Sequence, residues 1–235
     1  MELFASGVGS SDDKAKDRYL SSLETDINLD EFILGKNTTR ILNQDPKLLL
    51  FTLARYKFVA KMFDGFDNVL EVGCQEGFGG PIVAQNVDHL HGVDFYLPYI
   101  ESCNSRIRQP NMTFEAKDIL DSPMPCLYSG VFALDVLEHI DKDKEHSFMR
   151  NILLSLKKHG VVILGMPSLE SQKYASKASK TGHVNCKNGS DFRSFAFKYF
   201  ENVFSFSMND EVLHTGFFPM SHYLLIVGCN PKEVY

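Results

Sequence analysis

Glu71, Gly73, Gly77 and Asp94 are the residues whose types and spacing first suggest chemistry. The apolar run Asn68-Val69-Leu70-Glu71-Val72 carries a carboxylate near its end and stops in the turn Gly73-Cys74-Gln75-Glu76-Gly77. Glycines in such a turn let ligand atoms approach bare backbone where a helix begins. A second run, Leu90-His91-Gly92-Val93, ends in Asp94, a carboxylate able to accept hydrogen bonds from both hydroxyls of a ribose. The pair predicts a ligand with a nucleoside part. A dinucleotide would require G-x-G-x-x-G, and the chain has Gln75 and Phe78 where counting from Gly73 needs glycine, or Ile82 counting from Gly77. A cofactor without a pyrophosphate fits better.

The elements that must hold these residues follow from hydrophobic spacing. Pro46, behind Asp45 as an N-cap, opens a predicted helix over residues 47–62, in which Leu48, Leu49, Val59, Ala60 and Phe63 recur at helical intervals. Strands are predicted at 68–72, 90–94, 112–116, 131–135 and 160–166, with helices at 81–86, 98–107 and 142–156 between them. Strands separated by helices of this length imply crossover connections and a parallel sheet covered on both faces. A further helix is expected over 191–199. Two β-rich runs, 202–208 and 222–229, lack an obvious helix between them and should pair antiparallel at one edge. The expected fold is α/β and doubly wound, with a mostly parallel seven-stranded sheet, an antiparallel edge strand and helices on both faces. Residues 1–45 read as an N-terminal extension or lid, and 46–235 as a single domain.

Composition bounds the partners. The chain has 235 residues, with 24 basic against 30 acidic side chains and a net charge of −6, the opposite balance from a protein that holds nucleic acid by its phosphates. A small-molecule partner is expected, with neither nucleic acid nor membrane. Residues 1–17 lack the layout of a secretory signal and no 18-residue apolar run occurs, so a cytoplasmic location is expected. Five widely spaced cysteines without a C-x-x-C pair read as free thiols.

Four motifs in order resemble those of the class I S-adenosylmethionine-dependent methyltransferases. They are Val69 to Gly77, Gly92-Val93-Asp94-Phe95, Ala116-Lys117-Asp118-Ile119-Leu120 and Phe132 to Ile140, and the resemblance covers roughly residues 68–168. It implies S-adenosylmethionine as cofactor, with Glu71 and Gly73 beside its methionine part and Cys74, Gln75 and Gly77 in the same turn. It also implies Asp94 on the ribose, Phe95 on the adenine face, Asp118 and Ile119 at the adenine edge, and Asp135 near the transferred methyl. Gln75 departs from the family's usual glycine, which keeps open a catalytically silent binding or scaffold protein as the alternative. Arg55, on the helix before the first strand, is a candidate partner for the cofactor carboxylate.

Methyl transfer from a sulfonium mainly requires alignment and exclusion of water, and a base helps when the acceptor keeps its proton at neutral pH. Candidate catalytic residues are His183, which follows the fifth strand, together with Asp135, His139 and His214. Asp210, His214 and His222 include metal-ligand types but match no known spacing, and no metal is expected. Lys173, Lys177 and Lys180 could attract a phosphorylated acceptor. The expected reaction is methylation of an oxygen or nitrogen of a small molecule, with a sugar, sugar nucleotide or phosphorylated metabolite among the acceptor classes.

Overall fold

A computed structural model describes residues 11–26 and 33–233. Of the expected extension, residues 1–10 and 27–32 lie outside the described residues, as do residues 234 and 235. The chain divides into two units, Met1–Ile33 and Leu34–Tyr235. The first contains one helix, α1 (Ser11–Asp26), whose Arg18 Nε donates to the Lys14 carbonyl one turn earlier. Among the described residues no helix is long and apolar enough to cross a membrane.

The second unit opens with two helices, α2 (Lys36–Gln44) and α3 (Pro46–Met62). Pro46 starts α3 as its missing N–H allows, while Asp45 occupies the cap position without a side-chain cap bond. Then follow β1 (Phe66–Val72), α4 (Gly80–Ala84), β2 (Val87–Asp94), α5 (Leu97–Arg106), β3 (Met112–Ala116), β4 (Tyr128–Leu134), α6 (Glu145–Leu154) and β5 (Leu156–Pro167). The chain ends in α7 (Lys177–Gly182), α8 (Gly189–Ala196), β6 (Phe200–Asn209), β7 (Val212–His214) and β8 (Tyr223–Pro231).

The strands form one sheet in the order β3-β2-β1-β4-β5-β8-β6-β7. β1 to β5 run parallel, and β8 lies antiparallel to both β5 and β6. The α/β class and the antiparallel pairing of β6 with β8 agree with the sequence. Two details differ. The sheet has an eighth strand, the three-residue β7, and the antiparallel β8 is inserted between β5 and β6 instead of forming the margin. A strand of three residues carries no readable period, and strand order is a tertiary property.

Alternation along the strands builds two cores, since successive side chains face opposite sides of a sheet. Leu70, Val131, Ala133, Val162 and Leu164 face α6 and α8, meeting Phe148, Ile152 and Phe192. Val69, Phe132, Leu134 and Ile163 face the other way, toward Phe58 and Phe63 at the end of α3, Val83 of α4 and Cys103 of α5. Both layers meet at the carboxyl ends of β1, β2 and β4, where ligands bind in open parallel sheets.

The turn after β1 depends on Gly77. Its φ is +68°, and a Cβ there would lie 2.6 Å from Ile107 Cδ1 and 3.1 Å from Cys103 Sγ. Gly77→Ala should therefore lower stability by about 1–3 kcal/mol through backbone strain and overpacking. A urea midpoint that falls at constant m-value is the expected result; an unchanged midpoint would show that the turn is not packed in this way.

Candidate active site

Two cavities open at this end of the sheet. The first, about 490 Å³, is lined by Asp94 and Phe95 after β2, Asp118, Ile119 and Leu120 after β3, and Val136 to Asp141 in part. The second, about 560 Å³, is bounded by α2, α3, the turn after β1, residues 134–139, residues 167–183 in part, Asp210 and His222. Gly73, Gln75, Asp135 and His139 line both, so the cavities adjoin. Each has the size of a ligand pocket.

In the smaller cavity the carboxylates are oriented by their own turns. Asp94 accepts from the Gln75 N–H through Oδ2 at 3.0 Å and from the Tyr96 N–H through Oδ1 at 2.9 Å. Asp118 Oδ1 accepts from the Leu120 N–H at 2.8 Å. Phe95 is 75% exposed, so one face of its ring is free to cover a planar group.

Gln75 resolves the departure from the family pattern. Its φ of +48° places it in the left-handed region that a glycine would adopt without strain, and its side chain is exposed. There the Gln75 Oε1 accepts from Asn37 Nδ2 of α2 at 3.4 Å. The neighbouring Glu76 is nearly buried and caps α2 from 38 or 39 residues away, accepting from the Asn37 and Thr38 N–H groups at 3.0 Å each. Gly35 allows this approach, because a Cβ there would lie 2.3 Å from the Glu76 carboxyl carbon. The sequence shows α2 only as a polar stretch, since the cap that starts it is tertiary.

Asp135 follows β4 in a left-handed conformation, φ +57°, and forms an ion pair with Arg55 of α3 at 2.8 Å. The Arg55 guanidinium also lies 3.7 Å from the centre of the Tyr223 ring. Burial opposes its charge, but Asp135 and Tyr223 more than offset this and raise its pKa. Arg55 is thus already engaged by Asp135, where the sequence had suggested a free cation for a cofactor carboxylate.

His139 and His183 both line the larger cavity, with ring centres 5.0 Å apart. The His139 Nδ1–H donates to the Gly182 carbonyl at 2.9 Å, and the His183 Nδ1–H to Gln172 Oε1 at 2.9 Å. The Gln172 amide is oriented by donating to the Ser168 carbonyl. Each imidazole therefore keeps its lone pair on Nε2. Burial, then His139, lower the pKa of His183, against a smaller opposing effect of Asp135.

Three candidates from the sequence do not line either cavity. Gly77 serves the packing described above. His214 lies on β7, paired in register with Ser207, and His222 takes the place at the cavity wall, its Nε2 accepting from the Asp210 N–H at 3.1 Å. Nothing in the sequence separates these two histidines, because β7 was not legible. Glu71 is 1% exposed beneath the turn, where the Tyr56 hydroxyl donates to its Oε1 at 2.5 Å and its Oε2 has no partner among the described residues. Cys74 lines the larger cavity, and all five cysteines are free. Lys173, Lys177 and Lys180 line neither cavity.

Residues 69–160 match a sequence family described as Methyltransferase domain. No curated protein matches the chain. Among solved structures the chain is similar to the N-methyltransferase NodS of Bradyrhizobium japonicum WM9 in complex with S-adenosylhomocysteine, with 18% identity and a TM-score of 0.62 over 81% of this chain and 91% of that one. It is also similar to the plantazolicin methyltransferase BpumL in complex with S-adenosylhomocysteine, at 14% identity and TM-score 0.61, over 82% and 88% of the two chains. The small RNA methyltransferase HEN1 gives 15% identity and TM-score 0.64, over 79% of this chain and 26% of that one. The fold is that of the class I methyltransferases. The family match spans residues 69–160, from β1 to the start of β5.

Burial, with a smaller contribution from Asp94, raises the Glu71 pKa from an ordinary 4.5 to about 8, against the Tyr56 hydrogen bond. A carboxyl whose folded pKa is raised stabilises the fold fully below its unfolded pKa and loses that contribution as pH rises through the folded value. The ligand-free protein should therefore lose stability between about pH 4.5 and 8. Glu71→Gln should flatten this part of the profile by an amount on the order of 1 kcal/mol or more. Urea unfolding at pH 5 and pH 8.5 measures it, and parallel losses in both proteins would assign the pH dependence elsewhere.

Proposed function

We propose that this enzyme methylates an oxygen or nitrogen of a small polar molecule, a sugar or other polyhydroxylated compound fitting best, held in the larger cavity. The observation that carries this reading is the charge of that cavity. Its only lysine or arginine among the described residues is Arg55, which is paired with Asp135. A polyanionic acceptor, whether RNA or a phosphorylated metabolite, would find no free cation there, and the net charge of −6 also favours a small acceptor.

The smaller cavity suits the adenosine end of the cofactor. In this assignment Asp94 accepts from the ribose hydroxyls, Phe95 covers adenine, and Asp118 with Ile119 meets its edge. Glu71, buried below the turn, supports the methionine end from beneath without touching it. S-adenosylmethionine bound there supplies an activated methyl on a sulfonium centre. Asp135, common to both cavities, marks the place where methyl and acceptor meet. His139 and His183 present Nε2 lone pairs on the acceptor side and are the groups able to receive an acceptor proton. Residues 36–44, clipped to the turn by Glu76, act as a lid that excludes water.

Calorimetry with S-adenosylmethionine and S-adenosylhomocysteine tests the cofactor assignment. Asp94→Ala should weaken S-adenosylhomocysteine by about 1.5–3 kcal/mol through lost charge-assisted bonds, and an unchanged dissociation constant would remove Asp94 from the ribose. Transfer of tritiated methyl groups into a cell extract, fractionated afterwards, tests the acceptor. Label in the low-molecular-weight fraction is expected; label confined to RNA or protein would overturn the small-molecule reading.

A further inference from the structure

Glu138 is fully buried, and neither of its carboxylate oxygens has a hydrogen-bond partner in another described residue. It lines the larger cavity beside His139 and His183, and one ligand atom from each of the three lies within 4.8 Å of the others. Both imidazoles donate Nδ1–H to an oxygen, Gly182 O for His139 and Gln172 Oε1 for His183. That second contact is the usual support of a metal-ligating histidine, since it fixes the ring and the tautomer and leaves Nε2 for the ion. The one nearby cation, Arg55, is taken by Asp135, so two carboxylates face a single positive charge.

We propose that Glu138, His139 and His183 bind a divalent first-row transition ion, of the Mn²⁺, Co²⁺ or Zn²⁺ class, at the acceptor end of the site. Two imidazoles and a carboxylate suit such ions and leave coordination positions open. Small side-chain rotations bring the three atoms to the roughly 3–4 Å separations found around an ion with bonds of about 2.0–2.2 Å. An ion would give the two unpartnered oxygens of Glu138 the partner they lack. The open positions face the cavity and take an oxygen donor. This rests on the reading of that cavity as the acceptor site and narrows it, making a hydroxyl the methylated group. The imidazoles would then hold the ion, the hydroxyl acidified by it would lose its proton to water in the open cavity, and its oxygen would take the methyl as the C–S bond breaks to leave a neutral thioether. The sequence expectation of no metal looked for a local spacing, whereas His183 joins Glu138 and His139 only through the fold.

The test is titration of the full chain, freed of metal by a chelator, with Co²⁺ alone, followed by calorimetry and visible absorption. One equivalent should bind and raise the melting temperature. His139→Ala, His183→Ala and Glu138→Gln should each weaken binding by at least about tenfold. Should buried Glu138→Gln fail to fold, the exposed His139→Ala decides. Absence of saturable binding, or affinity unchanged by the substitutions, would overturn the site. Titrating the same samples with S-adenosylhomocysteine separates the two readings. Cofactor binding without Co²⁺ binding removes only the metal, while Co²⁺ binding without cofactor binding removes the methyl-transfer assignment and leaves the ion.

Discussion

The part-buried pair of Arg55 and Asp135 fixes what the rest of the site can be. It joins α3 to the end of β4, and the guanidinium stacks on Tyr223 of β8, so three elements distant in sequence are held at one point. Net stabilisation by such a pair is small once desolvation and the partial exposure of Asp135 are counted. Its contribution is geometric. Asp135 is held in a left-handed conformation by this pair and by its N–H to the Gly165 carbonyl at 2.9 Å. The carboxylate therefore stands where the two cavities meet.

Strain is concentrated at the same edge of the sheet. Gly73, Gln75 and Gly77 all have positive φ after β1, as Asp135 does after β4. Two of these four are not glycine, and each costs on the order of 1–3 kcal/mol. For Gln75 part of that is offset by contacts only this rotation permits, among them the N–H to Asp94 and the reach of the side chain to α2. The substitution that raised doubt about cofactor binding thus links Asp94 at the smaller cavity to the helix over the larger one.

How much could be read from sequence followed the range of the interactions. Asp94 with Tyr96 and Asp118 with Leu120 are bonded within two residues; Asp94 was legible from the strand-end pattern and Asp118 from the motif resemblance. The parallel strands were legible for a similar reason, since short apolar runs ended by turn residues leave no other local reading. The acceptor end draws on Glu76 with Thr38, Arg55 with Asp135 and His139 with Gly182, contacts spanning 38, 80 and 43 residues. No local spacing records such pairs, so α2, Glu138 and the pairing of Arg55 with Asp135 were not legible, although His139, His183 and His222 were each candidates.

The charge state of Glu138 connects these observations to catalysis. On the proposed assignment the donor sulfur is positive before transfer and neutral after it. A bare carboxylate close by would stabilise the reactant more than the transition state, and so raise the barrier. Asp135 avoids this by sharing its charge with Arg55. Glu138 has no such partner, and burial disfavours its charged form. A bound divalent ion would change that balance, turning Glu138 into a ligand whose charge is cancelled locally while the ion draws the acceptor oxygen toward the methyl. With the proposed ion bound, positive charge would stand beside the nucleophile, where it would favour ionisation of a hydroxyl, and no uncompensated negative charge would face the sulfonium.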